Sequence, residues 1–300
     1  MPDRQVVAVG DIFVDYIGDL TDPEYENVLG GLINSMNVFT SVDIKVGGAG
    51  VQFAIASKRA GFKTSTLLGK IGGQLDEKQK IIPDPPGDLV IEYLKQHDVH
   101  PLLAIDPRSK TGQTVIIFLP GDRRLMLSDP QANTLLSSAD LSLEMKSAVR
   151  QADLVHVSGY ALLQKNRRTA ILELMRCAKE GAAKVALDIV PHDIYKFLSF
   201  DQLCSDMATL TDWVIVDIST AHQLVGLGQL EQISASLVDQ ILGILTVIYP
   251  SVSLHLNPGH AIVVDEGEYL EYRAEYQPGV ASRGQSARAQ AELLYWRLNI

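Results

Sequence analysis

A glycine turn that leads into an alanine-rich helical pattern lies at residues 278–294, PGVASRGQSARAQAELL. Backbone N–H groups at a helix start are unpaired and bind anions, so Gly284 and Ser286 are candidates for an anion site. Arg283 adds positive charge that such a site could use, although a solvated surface arginine is an equally good interpretation. The first acid of the stretch is Glu292, well inside the helix. The pattern predicts an anion site without a general base beside it.

Two acids follow the first apolar run, VVAV, in the stretch VGDIFVD. They are Asp11 and Asp15, and ligands of open α/β sheets bind where strands end. Asp15 can accept hydrogen bonds from two neighbouring hydroxyls of a sugar. A turn- or helix-capping aspartate is the alternative, and it is favoured for one such residue taken alone. Phe13, between the two acids, can stack on a sugar face or on a base.

A second candidate binding stretch is VGGAGVQFAIASKRAG, in which glycines open a helix. Gly47 and Gly48 would let a ligand approach the backbone closely. Gln52, in the first helical turn, can both donate and accept hydrogen bonds, which suits hydroxyl groups. Close packing of the helix on a sheet is the alternative reading of the glycines. We expect Asp15, Gly47, Gly48 and Gln52 to line one cleft, with Asn133 nearby.

Composition restricts the class of partner. The formal charge of −10 and the pI of about 5.1 argue against nucleic acid or an anionic membrane as a partner. Two cysteines make no disulfide framework, and the start of the chain has no signal-peptide pattern. The seven histidines are scattered, so no metal site is predicted from them. We expect a cytoplasmic protein that binds a small molecule.

Short apolar strands alternate with helical segments along the chain, which predicts an α/β fold with a largely parallel sheet. Residues 114–129 form a predicted hairpin around the turn PGD. The polar, turn-rich segment 17–45 interrupts the alternation and predicts an excursion from the sheet. We expect a single domain over residues 1–300, with a small β lid drawn from about 17–45 and 102–128.

These stretches together resemble the ribokinase/PfkB family of carbohydrate kinases over nearly the whole chain. VGDIFVD is similar to the start of the family, and VGGAGVQFAIASKRAG to its first signature, with Gln52 at the position of an acceptor-binding asparagine. LLGKIGG resembles its glycine turn, and QANTLLSSADL its Ala-Asn segment, which contains Asn133. The resemblance implies a doubly wound, mostly parallel sheet with helices on both faces and a β lid. It also implies ATP and Mg²⁺ as cofactors.

The resemblance breaks down in the stretches that serve phosphate chemistry in the family. Asp217 and Thr220 replace the Asn and Glu of a motif tied to magnesium and phosphate. The nucleotide turn reads HLNPGHA, in which Asn257 and His260 replace glycines on either side of Gly259. Where the second signature carries its catalytic aspartate, an ungapped match to Gly284 and Ser286 places Ala287. No catalytic residue of the family is therefore intact.

Two function classes follow from this pattern. The first is a catalytically impaired kinase homologue that binds a sugar, nucleoside or phosphorylated metabolite. The second is an active ATP-dependent kinase whose base comes from Asp188, Asp217 or Asp265. A purely structural subunit is a third option. Because the lid would expose strand edges, we also expect a homodimer through residues 17–45.

Overall fold

The structure is a computed structural model, and it describes residues 3–26, 40–121, 123–189, 199–227, 232–257, 259–275 and 284–299. The strands are β1 (Gln5–Val9), β2 (Phe13–Asp19), β3 (Val42–Gly47), β4 (Thr64–Leu75), β5 (Ile81–Pro83), β6 (Val99–Asp106), β7 (Gly112–Leu119), β8 (Arg123–Asp129), β9 (Leu154–Ser158), β10 (Lys184–Ile189), β11 (Trp213–Asp217), β12 (Ser251–Asn257), β13 (His260–Asp265) and β14 (Glu268–Arg273). The α-helices are α1 (Ala49–Ala60), α2 (Pro85–Gln96), α3 (Leu143–Gln151), α4 (Lys165–Glu180), α5 (Phe200–Met207), α6 (Ile218–Leu224), α7 (Ala235–Leu245) and α8 (Gln285–Arg297).

The main sheet has ten strands and is mostly parallel. Its order is β14–β13–β12–β11–β10–β9–β1–β4–β6, with the short β5 paired to the end of β4. The strands from β12 to β6 are parallel, and β13 and β14 close one edge antiparallel. The α/β fold predicted from the alternation of strands and helices is confirmed.

Helices cover both faces of this sheet, which is why its central strands are continuously apolar. Val7 and Val9 of β1 pack in a core with α3, α4, α6 and α7. Val6 and Ala8 face the other way, into a core with α1, α2 and α8. Both cores meet the same strands, so the carboxyl ends of those strands form a narrow edge between two layers of helices. In the part of the chain that the structure describes, no helix is long and apolar enough to span a membrane.

A second, four-stranded sheet has the order β3–β2–β7–β8 and resembles a lid. Its first strand in the chain, β2, begins at Phe13, shortly after β1 ends. The expected hairpin is formed by β7 and β8. Residues 27–39 of the expected lid segment 17–45 lie outside the described residues. Residues 102–106 were expected in the lid, but they do not belong to this sheet. They continue β6, which pairs along β4 and buries Leu102 in the main core.

The glycine pair of LLGKIGG lies within β4 rather than in a loop. The strand continues past them to Leu75. The backbone of Lys110 and Thr111 packs so closely against Gly72 that only glycine fits there. A Cβ atom on Gly72 would lie 2.1 Å from the backbone nitrogen of Thr111. The side chain of Thr111 in turn accepts from the Gly72 N–H at 3.0 Å. The glycines thus bring the start of β7 close to the main sheet.

Candidate ligand-binding site

A cavity of about 680 Å³ lies where the small sheet covers the carboxyl edge of the main sheet. This volume is within the range of small-molecule sites. The sequence-predicted residues on its wall are Asp11, Phe13, Asp15, Gly48, Gln52, Gly284, Ser286 and Ala287. The structure therefore brings the two candidate stretches and the glycine turn of α8 together around one space. Neither Gly47 nor Asn133 is among the described residues that line it.

Asn133 holds the connection between the two sheets. Its Oδ1 accepts from the Ile12 N–H at 2.9 Å, and its Nδ2 donates to the Ile12 carbonyl at 2.7 Å. The side chain is only 1% exposed. Because Ile12 separates Asp11 from Phe13, these two bonds set where both of those side chains enter the cavity. Asn133 acts here by positioning them.

Asp11 is paired with a residue that the sequence did not reveal. The Nη1 of Arg167, near the start of α4, donates to the Asp11 carboxylate. Arg167 is 3% exposed and also lines the cavity. A buried carboxylate and a buried guanidinium offset part of each other's desolvation cost. Asp11 is therefore an ion-pair partner within the wall as well as a residue that lines the cavity.

Gly48 and Gln52 bring α1 up to the cavity. Gly48 has φ of +98°, and a Cβ on it would lie 2.2 Å from the carbonyl oxygen of Asp11. Only glycine fits this left-handed, crowded position. The Gln52 Nε2 donates to the Val46 carbonyl at 3.3 Å. Its Oε1 faces the turn before α8, since a Cβ on Gly284 would lie 2.8 Å from it.

The first turn of α8 presents small groups to the cavity. Gly284 caps the helix with φ of +78°, and Ser286 and Ala287 follow on the wall. The Ser286 Oγ accepts from the Gln290 Nε2 at 3.3 Å. Arg283 lies outside the described residues. The described part of this turn places a methyl group, that of Ala287, where the family resemblance puts a carboxylate.

A buried polar chain runs from this turn into the sheet. The Gln290 Oε1 lies 3.2 Å from the His156 Nε2, which must carry the hydrogen because the amide oxygen only accepts. His156 stacks on Phe53 with ring centroids 3.5 Å apart. Burial lowers the pKa of His156 to about 3, so the ring is neutral at physiological pH. The chain is thus polar without carrying positive charge.

Asp188, at the end of β10, lines the same cavity. Burial raises the pKa of its carboxyl from 3.8 to about 8, an effect that a hydrogen bond from Gln290 opposes and the charge of Asp217 reinforces. The carboxyl is therefore mostly protonated at neutral pH. Sequence reasoning named Asp188 only as an alternative base, because a single acid in an apolar strand has no distinguishing pattern.

The two other alternative bases are held elsewhere. The Asp217 Oδ1 accepts from the Thr220 N–H at 2.9 Å, and its Oδ2 from the Thr220 hydroxyl at 2.6 Å, which caps α6. Asp265 pairs with Ser251 and Arg297. Because β13 runs antiparallel, Asp265 lies level with the first residue of β12, at the amino edge of the sheet. The expectation that Asp265 could serve the cavity as a base is therefore wrong.

In the stretch that resembles a nucleotide turn, the polar groups of Asn257, Gly259 and His260 are occupied by hydrogen bonds within the protein. The Asn257 Oδ1 accepts from the Gly259 N–H at 2.9 Å, and the Gly259 carbonyl accepts from Ala274 at 2.7 Å. The His260 Nε2 lies 2.7 Å from the Glu271 Oε1. A glycine turn that binds phosphate must offer free N–H groups. Here the Gly259 N–H is already taken.

The described residues do not fit a magnesium site. They contain no group of three or more His, Cys, Asp or Glu side chains that could hold a metal ion. Mg²⁺ prefers several oxygen ligands in octahedral geometry. Asp217, which the resemblance places at the asparagine of the metal motif, accepts hydrogen bonds from Thr220 on both of its oxygens.

Comparison with known proteins agrees with the fold. The sequence model described as "pfkB family carbohydrate kinase" matches residues 3–248. The chain belongs to this family. Within this PfkB-family protein, the matched range includes the acceptor-side stretches, β10 and β11. The range ends before the closed turn around Gly259 and before α8.

Individual relatives are distant. "Probable fructokinase-5" from Arabidopsis thaliana is 24% identical over 186 residues, which are 61% of this chain and 50% of that protein. The chain thus spans about half the length of this curated relative. An adenosine kinase from Sinorhizobium meliloti has a TM-score of 0.77 at 17% identity, covering 100% of this chain and 89% of that one. A probable sugar kinase from Rhizobium etli CFN 42 has 0.78 at 16%, covering 100% and 88%. These similarities establish the fold.

Proposed function

We propose that this PfkB-family protein binds a sugar, nucleoside or phosphorylated metabolite and transfers phosphate weakly or not at all. The observation that carries the proposal is Ala287, whose position on the cavity wall corresponds to the family's catalytic base. Loss of a general base typically lowers a rate by about 10²- to 10⁴-fold. Phosphoryl transfer also relies on positioning and electrostatics, so the missing base alone does not abolish it.

The phosphate side supports the same proposal through two further contacts. The Gly259 N–H donates to Asn257, and the Asp217 carboxylate caps α6. ATP and Mg²⁺, the cofactors that the family implies, would have to displace both contacts. On the acceptor side, Asp15, Gly48 and Gln52 line the cavity. Binding of a hydroxylated ligand should therefore persist where chemistry is lost.

A second candidate function is an active kinase that uses Asp188 as its base. One observation favours it: Asp188 lines the cavity, and its pKa is raised to about 8. Only the ionised carboxylate accepts a proton. Turnover that depends on Asp188 should therefore increase as the pH rises towards 8 and level off above it.

The test combines a binding and a turnover measurement on the full chain. Isothermal titration with a panel of sugars and nucleosides, with and without ATP and Mg²⁺, measures binding. Coupled ADP release over the same panel measures turnover, with Asp188→Asn as the control for the second candidate. Turnover of roughly 1 to 100 per second, the ordinary kinase range, refutes impaired catalysis. Loss of that turnover in Asp188→Asn would then establish the alternative.

We also propose a homodimer through the small sheet. Its outer face is apolar across all four strands in register, and Ile44 is 57% exposed there. One row across the sheet consists of Ile44, Tyr16, Val115 and Leu127, and the next contains Val42, Ile117 and Leu125. Exposed apolar faces of this kind mark interaction surfaces. A second copy could cover it isologously.

Two further features of the proposal concern domain organisation and location. We treat residues 1–300 as one domain because Val14 and Val46 of the small sheet pack in the same core as Phe53 of α1. A reducing, cytoplasmic location suits the buried free thiol of Cys177.

A further inference from the structure

We propose that Lys70 is a positioning residue for the ligand site, although it is not among the described residues that line the cavity. Its ammonium group holds the 3₁₀ helix Gln131–Leu135 against β4, and this helix carries Asn133, which joins the two sheets. Lys70 thereby sets how the small sheet lies over the ligand. The inference rests on the proposed binding function of the cavity and adds a residue that acts on it from outside.

Lys70 is a buried lysine with acceptors for all of its donors. Its side chain is 6% exposed. The Nζ lies 3.0 Å from both carboxylate oxygens of Asp140, 3.2 Å from the Asp106 Oδ2 and 3.2 Å from the Leu135 carbonyl oxygen. An ammonium group has three N–H donors and no acceptor, so these three partners can use all of its hydrogens. The group therefore serves contacts within the protein.

The three acceptors belong to separate pieces of the chain. Asp106 ends β6, and the register places Ala104, two residues before it, opposite Lys70. Because alternate residues of a strand share a face, Lys70 and Asp106 point to the same side of the sheet. Leu135 ends the 3₁₀ helix, and Asp140 ends a second one, Ser138–Asp140. One ammonium group thus connects the segment 131–140 to two strands of the main sheet.

Asn133 lies where the small sheet begins. The two central strands of that sheet are β2 and β7, and their first residues, Phe13 and Gly112, are paired in register. Asn133 bonds both backbone groups of Ile12, next to Phe13. A Cβ on Gly112 would lie 2.4 Å from the Asn133 Nδ2, so the amide packs directly against the start of β7 as well. A shift of the 3₁₀ helix would therefore displace both strands.

Two further hydrogen bonds of the 3₁₀ helix reach the loop that leads into β7. The Ala132 N–H donates to the Lys110 carbonyl at 3.1 Å, and the Ser109 hydroxyl donates to the Gln131 Oε1 at 3.2 Å. These bonds tie the helix to the start of the small sheet. Lys70 supplies the charged link from the helix to β4.

Removal of the ammonium group would leave two carboxylates facing the same space. Burial tends to raise the pKa of Asp106, but hydrogen bonds from the Arg108 N–H and from Lys70 lower it overall, so this carboxyl is ionised. Asp140 contacts the same Nζ. Like charges repel more strongly where they are partly shielded from water. Without Lys70 we expect the segment 131–140 to move away from β6 and to carry Asn133 with it.

Hydrogen exchange, followed by mass spectrometry on the ligand-free full chain, tests this anchor. In Lys70→Met we expect the amides of β2 and β7 to exchange about tenfold faster, while those of β9 and β10 keep their rates. Lys179→Met is the matched control, because the Lys179 Nζ contacts both Asp212 oxygens, at 2.9 and 2.8 Å, beside the start of β11. This variant loses a comparable ion pair and should leave β2 and β7 unchanged. If circular dichroism shows that Lys70→Met does not fold, Lys70→Gln, which is neutral and one bond shorter, replaces it.

Isothermal titration with adenosine and ribose shows whether the anchor acts on the ligand site through Asn133. Lys70→Met should weaken the probe that binds by about tenfold, and Asn133→Ala should weaken it by a similar factor. The double variant should bind no weaker than Asn133→Ala alone, because both substitutions disturb the same connection. A purely structural role of Lys70 would lower stability without this dependence on Asn133.

Each result has a definite reading. Unchanged exchange in β2 and β7, or an increase shared equally by β9 and β10, overturns the anchor. Affinity in Lys70→Met equal to that of the unmodified protein, or losses that multiply in the double variant, overturns its action on the ligand site through Asn133. Binding of neither probe by the unmodified protein counts against the proposed binding function, and hydrogen exchange then decides the anchor by itself.

Discussion

Asp188 carries a pH-dependent destabilisation that replacement by asparagine should remove. Burial raises the pKa of the carboxyl from 3.8 to about 8, so the folded protein keeps a proton that the unfolded chain has released. Between these values the unfolded state binds fewer protons, and stability falls as pH rises, by roughly 1.4 kcal/mol per pH unit. Asp188→Asn keeps the shape of the side chain and has no proton to lose.

Urea unfolding of both proteins at several pH values measures this effect. From pH 5.5 to pH 7.5 we expect the stability of Asp188→Asn relative to the unmodified protein to increase by about 2.5 kcal/mol. His156 titrates in the same range on unfolding, but it is present in both proteins and its contribution cancels. If the difference between the two unfolding free energies stays constant from pH 5.5 to pH 7.5, Asp188 is not held protonated in the folded protein. The argument from burial would then fail.

Four other outcomes are expected. Ala287→Asp should recover little ADP release, because the Gly259 N–H remains occupied; turnover near 1 per second would contradict this. Asp15→Asn should weaken the best ligand of the panel by about tenfold in titration, since a buried carboxylate accepts stronger bonds from hydroxyls than an amide does. Ile44→Lys should convert a dimer to a monomer in sedimentation without altering ligand affinity. His156, whose pKa is lowered to about 3 by burial, should lower stability as pH falls below about 6.5 and so oppose the contribution of Asp188; His156→Gln should therefore make stability in urea unfolding rise more steeply as the pH falls from about 6.5 to about 4.

The main sheet could be predicted because its signals are local. Each strand is a short apolar run, each helix has its own period, and their alternation implies parallel crossovers. The small sheet was predicted only approximately. Residues 102–106 have the same apolar character as its strands, and only pairing with β4 assigns them to the main sheet.

The candidate site was harder to predict because its decisive contacts join distant residues. Asp11 and Arg167 are 156 residues apart, and Asn133 reaches Ile12 across 121. No local pattern indicates such pairs. Asp15, Gly48 and Gln52 could be named because their types suit hydroxyl binding and because the stretches around them resemble the PfkB family. Their gathering on one wall follows from the sheet topology.

Helix α8 runs from the cavity to the opposite edge of the sheet, so a displacement of its first turn would rotate the helix about its last turn. Its last turn is fixed by Arg297 to Asp265, while its first turn touches Gln52 and the cavity. Thirteen residues make an arm of about 20 Å. A ligand that pushes the first turn outward by about 1 Å would rotate this arm by only about 3°, with Arg297 as the pivot. The displacement would therefore be largest beside Gly284 and smallest at Arg297.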